Sequence, residues 1–255
     1  MPSRVPSRWS LASLARPAPL AQARSPELMD DPALDPREHL AALRALGTIN
    51  ALSLTAAAIA REISGLASHG PHSPRPLRVV DVACGGGDVT VALARRLGPS
   101  CHVTGIDLSP RAVARATEHA ASRDVVNVSF AVGDVLAGGC PDCDVAVTSL
   151  FLHHLDDDAA STTIRSVAAA ARLGGVVSDL VRSRRGLVLA HLATRLLTRS
   201  RVARVDGPLS VRAARTRAEY RLLMERAGLP AARIVATWPE RVLISWRSQP
   251  EGARP

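Results

Sequence analysis

The decapeptide DVACGGGDVT, Asp81–Thr90, decides how this chain folds. It follows the apolar run LRVV and leads into VALARRLG, which has the spacing of an amphipathic helix. A strand that breaks into glycines and restarts as a helix is the opening unit of a parallel sheet whose ligand sits at the strands' carboxyl ends. The glycines let a ligand approach the backbone. Asp81 and Asp88, on either side of them, restrict which ligand it is. A phosphate bound at a helix N-terminus is favoured by positive partial charge, and two carboxylates would repel it. The third glycine of a dinucleotide fingerprint would fall at Thr90, and there is no G-K-[ST] for a phosphate-binding P-loop. The loop suits a cation.

Outward from this loop, strands and helices alternate. HVTGIDL is a second strand ending in Asp107, followed by Ser109-Pro110, which caps a helix. VNVSFAVGD is a third strand ending at Asp134, and CDVAVTSLFL a fourth. DDDAASTTIRSVAAAARLGG reads as a helix with acids in its first turn and glycine after its last, and VVSDLV as a fifth strand. ARIVATW and RVLISWR, joined through Pro239-Glu240, read as a terminal antiparallel hairpin. The expected fold is α/β: a Rossmann-like parallel sheet ending in an antiparallel hairpin, with helices on both faces and an N-terminal helical cap.

The spacing predicts that cap over residues 26–70, as two helices. The first has Asp35 as N-cap and Pro36 at the first helical position, and is stopped by Gly47; the second runs from about Ile49 to Leu66. SHGPHSPRP reads as a linker to a main domain over residues 76–255. Residues 1–25 carry four arginines and no acid among many Ser, Pro and Ala, and read as a disordered tail. Past the fifth strand, GLVLAHLATRLLTR is a helix, VARVDGPLSVRA a loop, and TRAE a capping box that opens another helix.

All 32 basic residues are arginine, and the net charge is +9. From Arg182 to Arg226, twelve arginines against Asp206, Glu219 and Glu225 account for that whole excess. Solvated helix faces explain it most simply; an acidic substrate, a membrane surface or nucleic acid would also be attracted. No apolar stretch approaches the roughly 20 residues that span a bilayer, and the expected location is cytoplasmic. CPDC (Cys140–Cys143) is a single pair without a second at zinc-site spacing, so no metal is expected.

A sulfonium methyl donor, S-adenosylmethionine, satisfies the carboxylates: it carries an ammonium group and no phosphate. At this point the sequence resembles the class I S-adenosylmethionine-dependent methyltransferases. The resemblance runs from about Leu77 to Val181 through VVDVACGGGD, GIDLSP, AVGD, DVAVTSLFLHHL and ARLGGVVSDL. The first of these is closest to the ubiquinone/menaquinone-type enzymes. The resemblance implies that Asp81, Gly85, Gly87 and Asp88 line the methionine end, Asp107 binds ribose and Asp134 the adenine amine. Ala83, Leu108, Val135 and Ser149 complete the cofactor wall. The commonest family pattern has glycine at Ala83 and proline at Leu173.

For the methyl acceptor, the sequence lacks the [DN]-P-P-[YFW] motif of base N-methylation and the paired glutamates of protein-arginine methylation. Aromatics make up 2%, too few for stacking platforms that hold unpaired bases. A small apolar or aromatic metabolite remains, such as a polyketide, phenol or quinone-like ring, with a hydroxyl acceptor by analogy. Nucleic acid is disfavoured as a partner. His153 and His154 are candidate catalytic residues beside the methyl group. Arg182 and His191 are candidate substrate ligands, on a basic lid-like segment of about residues 182–216. An RNA methyltransferase using the arginine-rich segment, or a cofactor-binding accessory protein without transfer activity, are the alternatives.

Overall fold

The computed structural model describes residues 20–31, 33–69 and 75–248. Within them the chain order is α1 (Pro36–Leu52), α2 (Thr55–Ala67), β1 (Leu77–Val82), α3 (Asp88–Leu97), β2 (Cys101–Asp107), α4 (Pro110–Ala121), β3 (Val128–Val132), α5 (Val135–Gly138), β4 (Cys143–Ser149), α6 (Asp157–Ala170), β5 (Ala171–Leu180), α7 (Arg184–Leu197), α8 (Arg201–Ala213), α9 (Arg217–Arg226), β6 (Arg233–Thr237) and β7 (Arg241–Arg247). The seven strands form one sheet in the order β3-β2-β1-β4-β5-β7-β6. β1 to β5 pair in parallel, and β7 is antiparallel to both β5 and β6, so the sheet ends in the expected hairpin. The order reverses between β1 and β4, which puts a ligand crevice at the carboxyl ends of those two strands.

The pleat divides the core in two. Val80, Val82, Ala146, Val242 and Ile244 meet Ile164, Tyr220 and Met224 of α6 and α9 on one face. Val79, Val145, Val147 and Leu243 meet Ile59 and Ile63 of α2 and Leu93 of α3 on the other. Successive residues of one strand go to opposite layers because strand side chains alternate. Gly174 and Gly175 lie inside β5 rather than behind the preceding helix; a Cβ on Gly175 would come within 2.2 Å of the Trp246 indole, which packs there instead.

Four further expectations change. Gly47 does not end α1, which runs on to Leu52. A Cβ at Gly47 would lie 2.5 Å from Oδ1 of Asp88, so this glycine lets α1 close onto the start of α3. The predicted cap splits: α1 lies over the crevice, whereas α2 is a layer helix against β5 and α3. VARVDGPLSVRA is helical, as α8, despite Gly207-Pro208 at its centre. Burial of Val202, Ala203, Ser210 and Val211, with Ser200 as N-cap, outweighs the missing donor of the proline. Finally, residues 20–25 of the expected tail are ordered onto α8: Ala23 N donates to Arg212 O and Gln22 Nε2 to Ala213 O. Residues 1–19, and most of the linker at 70–74, lie outside the described residues.

Candidate active site

Three loops at the carboxyl ends of β1, β2 and β4 build the site. After β1 the chain turns through Ala83, Gly85 and Gly87, all with positive φ (56°, 53° and 75°). A left-handed Ala83 is strained by its Cβ, which accounts for glycine in the commoner pattern. At Gly87 a Cβ would stand 2.6 Å from that of Ala116, so the loop is held close to α4. Asp107 fixes it: Oδ2 accepts from Gly85 N (2.8 Å) and Oδ1 from Ser109 N (2.9 Å).

Asp81 is fully buried. Its Oδ2 accepts from Thr90 Oγ1 at 2.6 Å, its Oδ1 has no partner, and the residue borders the cavity. Burial pushes this carboxyl up to about 7, with Asp107 adding to the rise and the Thr90 hydroxyl opposing it. Ser149 Oγ, at the end of β4, is also buried, unpartnered and on the cavity wall. A buried carboxylate oxygen without a partner is expensive, and a ligand that brings an ammonium group would satisfy it. Asp88 borders the same cavity but has company: its Oδ1 is 3.3 Å from His119 Nδ1. Burial raises the Asp88 carboxyl against the pull of His119 and Arg115. Leu108, Asp134 and Val135 line the opposite end, where Asp134 Oδ1 caps α5 through Leu136 N at 2.8 Å.

His153 and His154 stand in a 3-10 turn (Leu152–His154) after β4. Arg215, itself buried, holds that turn by donating to Leu152 O (2.7 Å) and Leu155 O (2.9 Å). His153 Nδ1 lies 2.7 Å from Oδ1 of Asp179, on the end of β5, and both side chains are buried. Burial alone would raise the Asp179 carboxyl, but the His153 charge and hydrogen bond hold it below its ordinary value. It therefore stays ionised and accepts the hydrogen bond from Nδ1 of His153. Nε2 is 3.8 Å from Oε1 of Glu27.

Glu27 belongs to the segment preceding α1, where Leu28 N and Met29 N donate to Asp206 of α8 (2.9 and 3.0 Å). Burial raises the Glu27 carboxyl against the pull of both histidines. Burial would lower His154, but Asp30, with His154 Nδ1 3.5 Å from its Oδ2, and Glu27 raise it overall. Glu27, His153 and His154 bring three potential ligand atoms within 4.8 Å of one another, the one described group that could hold a metal ion. No sequence spacing announces it, because Glu27 is far away along the chain.

These groups share one cavity of about 1250 Å³. A single drug-sized ligand fills roughly 300–1,000 Å³, so a cofactor and an acceptor can share it. The structure does not bring Arg182 and His191 to this cavity wall. Arg182 is buried and bonded to Glu219, and His191 is exposed on the outer face of α7, with Nδ1 3.0 Å from Arg195. His153, His154 and the ten expected cofactor residues all border the cavity, Gly87 excepted, which turns the loop. Glu27, His39 and Asp30 on its wall were not foreseen; they come from segments whose approach to the site depends on tertiary packing.

This strand order, with acids at the ends of β1, β2 and β3, is the arrangement that the sequence resemblance to class I methyltransferases implies. A family profile described as "Methyltransferase domain" matches residues 79–175. The mouse (Mus musculus) acetylserotonin O-methyltransferase is 32% identical over 187 residues, covering 70% of this chain and 46% of that one. The ubiquinone biosynthesis O-methyltransferase of Aeromonas salmonicida is 33% identical over 102 residues, covering 39% and 41%. Human N-acetylserotonin methyltransferase, solved with S-adenosylmethionine, shares the fold with a TM-score of 0.60 at 18% identity, covering 83% of this chain and 55% of that one. The chain spans less than half the length of the two curated relatives. By that profile residues 79–175 are a methyltransferase domain, and the fold is that of S-adenosylmethionine-dependent methyltransferases.

Proposed function

We propose that this chain methylates a hydroxyl group on a small apolar or aromatic acceptor, with His153 as the base. The cofactor supplies an activated methyl group on a sulfonium that leaves as a neutral thioether, so no further activation of the carbon is needed. The protein's work is to align the acceptor, exclude water and take one proton. Asp81 would hold the ammonium group through its unpartnered Oδ1, Asp107 the ribose hydroxyls and Asp134 the adenine amine. His153 would act on the acceptor by taking its O–H proton at Nε2, while the cofactor would supply the methyl group to the oxygen and be left as the neutral thioether.

The observation that carries this reading is the buried Asp179–His153 pair, 2.7 Å apart, with His153 on the cavity wall. Beyond it part of the wall is apolar, with Leu46, Ile49, Phe151, Leu189 and Val211, which suits a polyketide, phenol or quinone-like ring. Both curated relatives quoted above are named as O-methyltransferases. The test is transfer of an isotopically labelled methyl group to a panel of phenols, quinols and hydroxylated polyketides, with cofactor affinity measured in parallel. An O-methylated product supports the reading. Cofactor binding without transfer would replace it with a non-catalytic cofactor-binding role, and salt-sensitive methylation of RNA with the RNA enzyme.

A further inference from the structure

Helix α7 is built inside out. It buries Gly186 and Thr194, while Val188, Leu192, Leu196 and Leu197 are exposed, Leu196 by 80%. The cause is close packing on α8. A Cβ on Gly207 of α8 would lie 2.7 Å from Thr194 Cγ2, and one on Gly186 would meet Val211 at 3.4 Å. The inner face has room only for small side chains, and the leucines go outward. Leu192 and Leu196 also border the large cavity, as do the exposed Leu52 at the end of α1 and Trp238 (68% exposed) between β6 and β7. Residues that line a cavity and face solvent at once mark its mouth. This mouth therefore wears an apolar collar, where an isolated exposed leucine would need no explanation.

Along the α7 side of the collar the charge has one sign. Between Arg182 and Val205 there is no acid. Arg185, Arg195, Arg199 and Arg201 are exposed on α7 and at the α7–α8 junction. Exposed leucines flanked by arginines at the mouth of a largely apolar cavity can enter the headgroup boundary while the long arginine side chains reach lipid phosphates. Among the described residues no single helix is long and apolar enough to cross a membrane.

We propose that this face docks on an anionic lipid bilayer, with the leucine and tryptophan collar inserted at the headgroup boundary and the arginines against lipid phosphates. The cavity would then open into the bilayer and receive an acceptor with an aliphatic tail; that second step rests on the acceptor site proposed above. Docking itself does not, because it needs neither cofactor nor turnover.

The test is co-sedimentation of the whole chain with vesicles of phosphatidylcholine alone and of phosphatidylcholine with phosphatidylglycerol. The wild-type chain should bind the anionic vesicles, bind the neutral ones much less, and release as salt rises. Leu192→Glu/Leu196→Glu should reduce binding by roughly tenfold or more, and Arg195→Gln/Arg199→Gln by several-fold, each with an unchanged melting temperature. Equal binding by wild type and the leucine variant would overturn the proposal. So would a wild-type dimer that ignores vesicles and is split by the leucine substitutions, since a second copy would then cover the collar. A chain that binds anionic vesicles yet methylates no hydroxyl would keep the docking surface and sink the proposed reaction.

Discussion

Asp179 Oδ1 and His153 Nδ1 lie 2.7 Å apart, both side chains are buried, and the backbone N–H of His153 also donates to Asp179 Oδ2 at 3.2 Å. The carboxylate thus fixes the ring's tautomer and its position together. Asp179→Asn keeps the shape but not the charge. It should lower kcat by about 10- to 100-fold while cofactor affinity and acceptor KM change little, since Asp179 acts through His153. Steady-state kinetics with calorimetry of cofactor binding checks this; a rise in acceptor KM at constant kcat would assign Asp179 to acceptor binding instead.

Asp81 gives opposite signs for stability and binding. Its carboxyl is raised from 3.8 to about 7, with burial as the main cause. Between those values the folded cofactor-free chain holds a proton that the unfolded chain has released, so this group's contribution falls as pH rises from about 4 to 7. The cofactor's ammonium favours the ionised carboxylate, so binding at pH 6 should release a proton and strengthen as pH rises through about 7. Asp81→Asn should raise the melting temperature of the cofactor-free protein at pH 8, weaken cofactor binding and abolish that proton release. Calorimetry in two buffers of different ionisation enthalpy reads it; proton release that persists in the variant would assign it elsewhere.

Ala83 has φ of 56° at the first turn of the cofactor loop. Ala83→Gly relieves the left-handed strain of about 1–2 kcal/mol but gives back about 0.4–1 kcal/mol through the freer unfolded chain. A net gain of about 0.5–1 kcal/mol should appear as a melting temperature higher by roughly 1–3 °C. A lower melting temperature would mean that the methyl group makes contacts worth more than the strain.

Arg215 holds the turn that carries His153 and His154. Arg215→Met removes the donors to Leu152 O and Leu155 O and the pairing with Asp157, whose Oδ1 is 2.7 Å from Nη2. Two carbonyls lose their donor, so stability should fall by about 1–3 kcal/mol in denaturant titration, and kcat should fall with it because His153 stands in that turn. Full activity in a destabilised variant would separate the turn from catalysis.

The parts of this protein that were legible in its sequence are those set by short-range rules. The β1 loop, the acids ending β2 and β3, the Ser109 and Thr216 caps and the terminal hairpin all follow from patterns a few residues long. Gly47 misled because a glycine that permits close approach to Asp88 looks the same in sequence as one that stops a helix. Gly207-Pro208 misled because the burial that keeps α8 helical is tertiary. Arg182 carries charge enough for a substrate ligand, yet it folds inward to Glu219. Glu27 was invisible: its place beside His153 depends on Asp206 and Ser210, on a helix the sequence did not reveal.

The most direct measurement is the single-turnover rate of methyl transfer to a hydroxyl acceptor by the wild-type chain and by His153→Gln, with the cofactor dissociation constant of each. With His153 as the base, the rate should fall by roughly 10²–10⁴-fold at an unchanged dissociation constant. A rate within roughly threefold of wild type at the same cofactor affinity would contradict a role for His153 in the transfer.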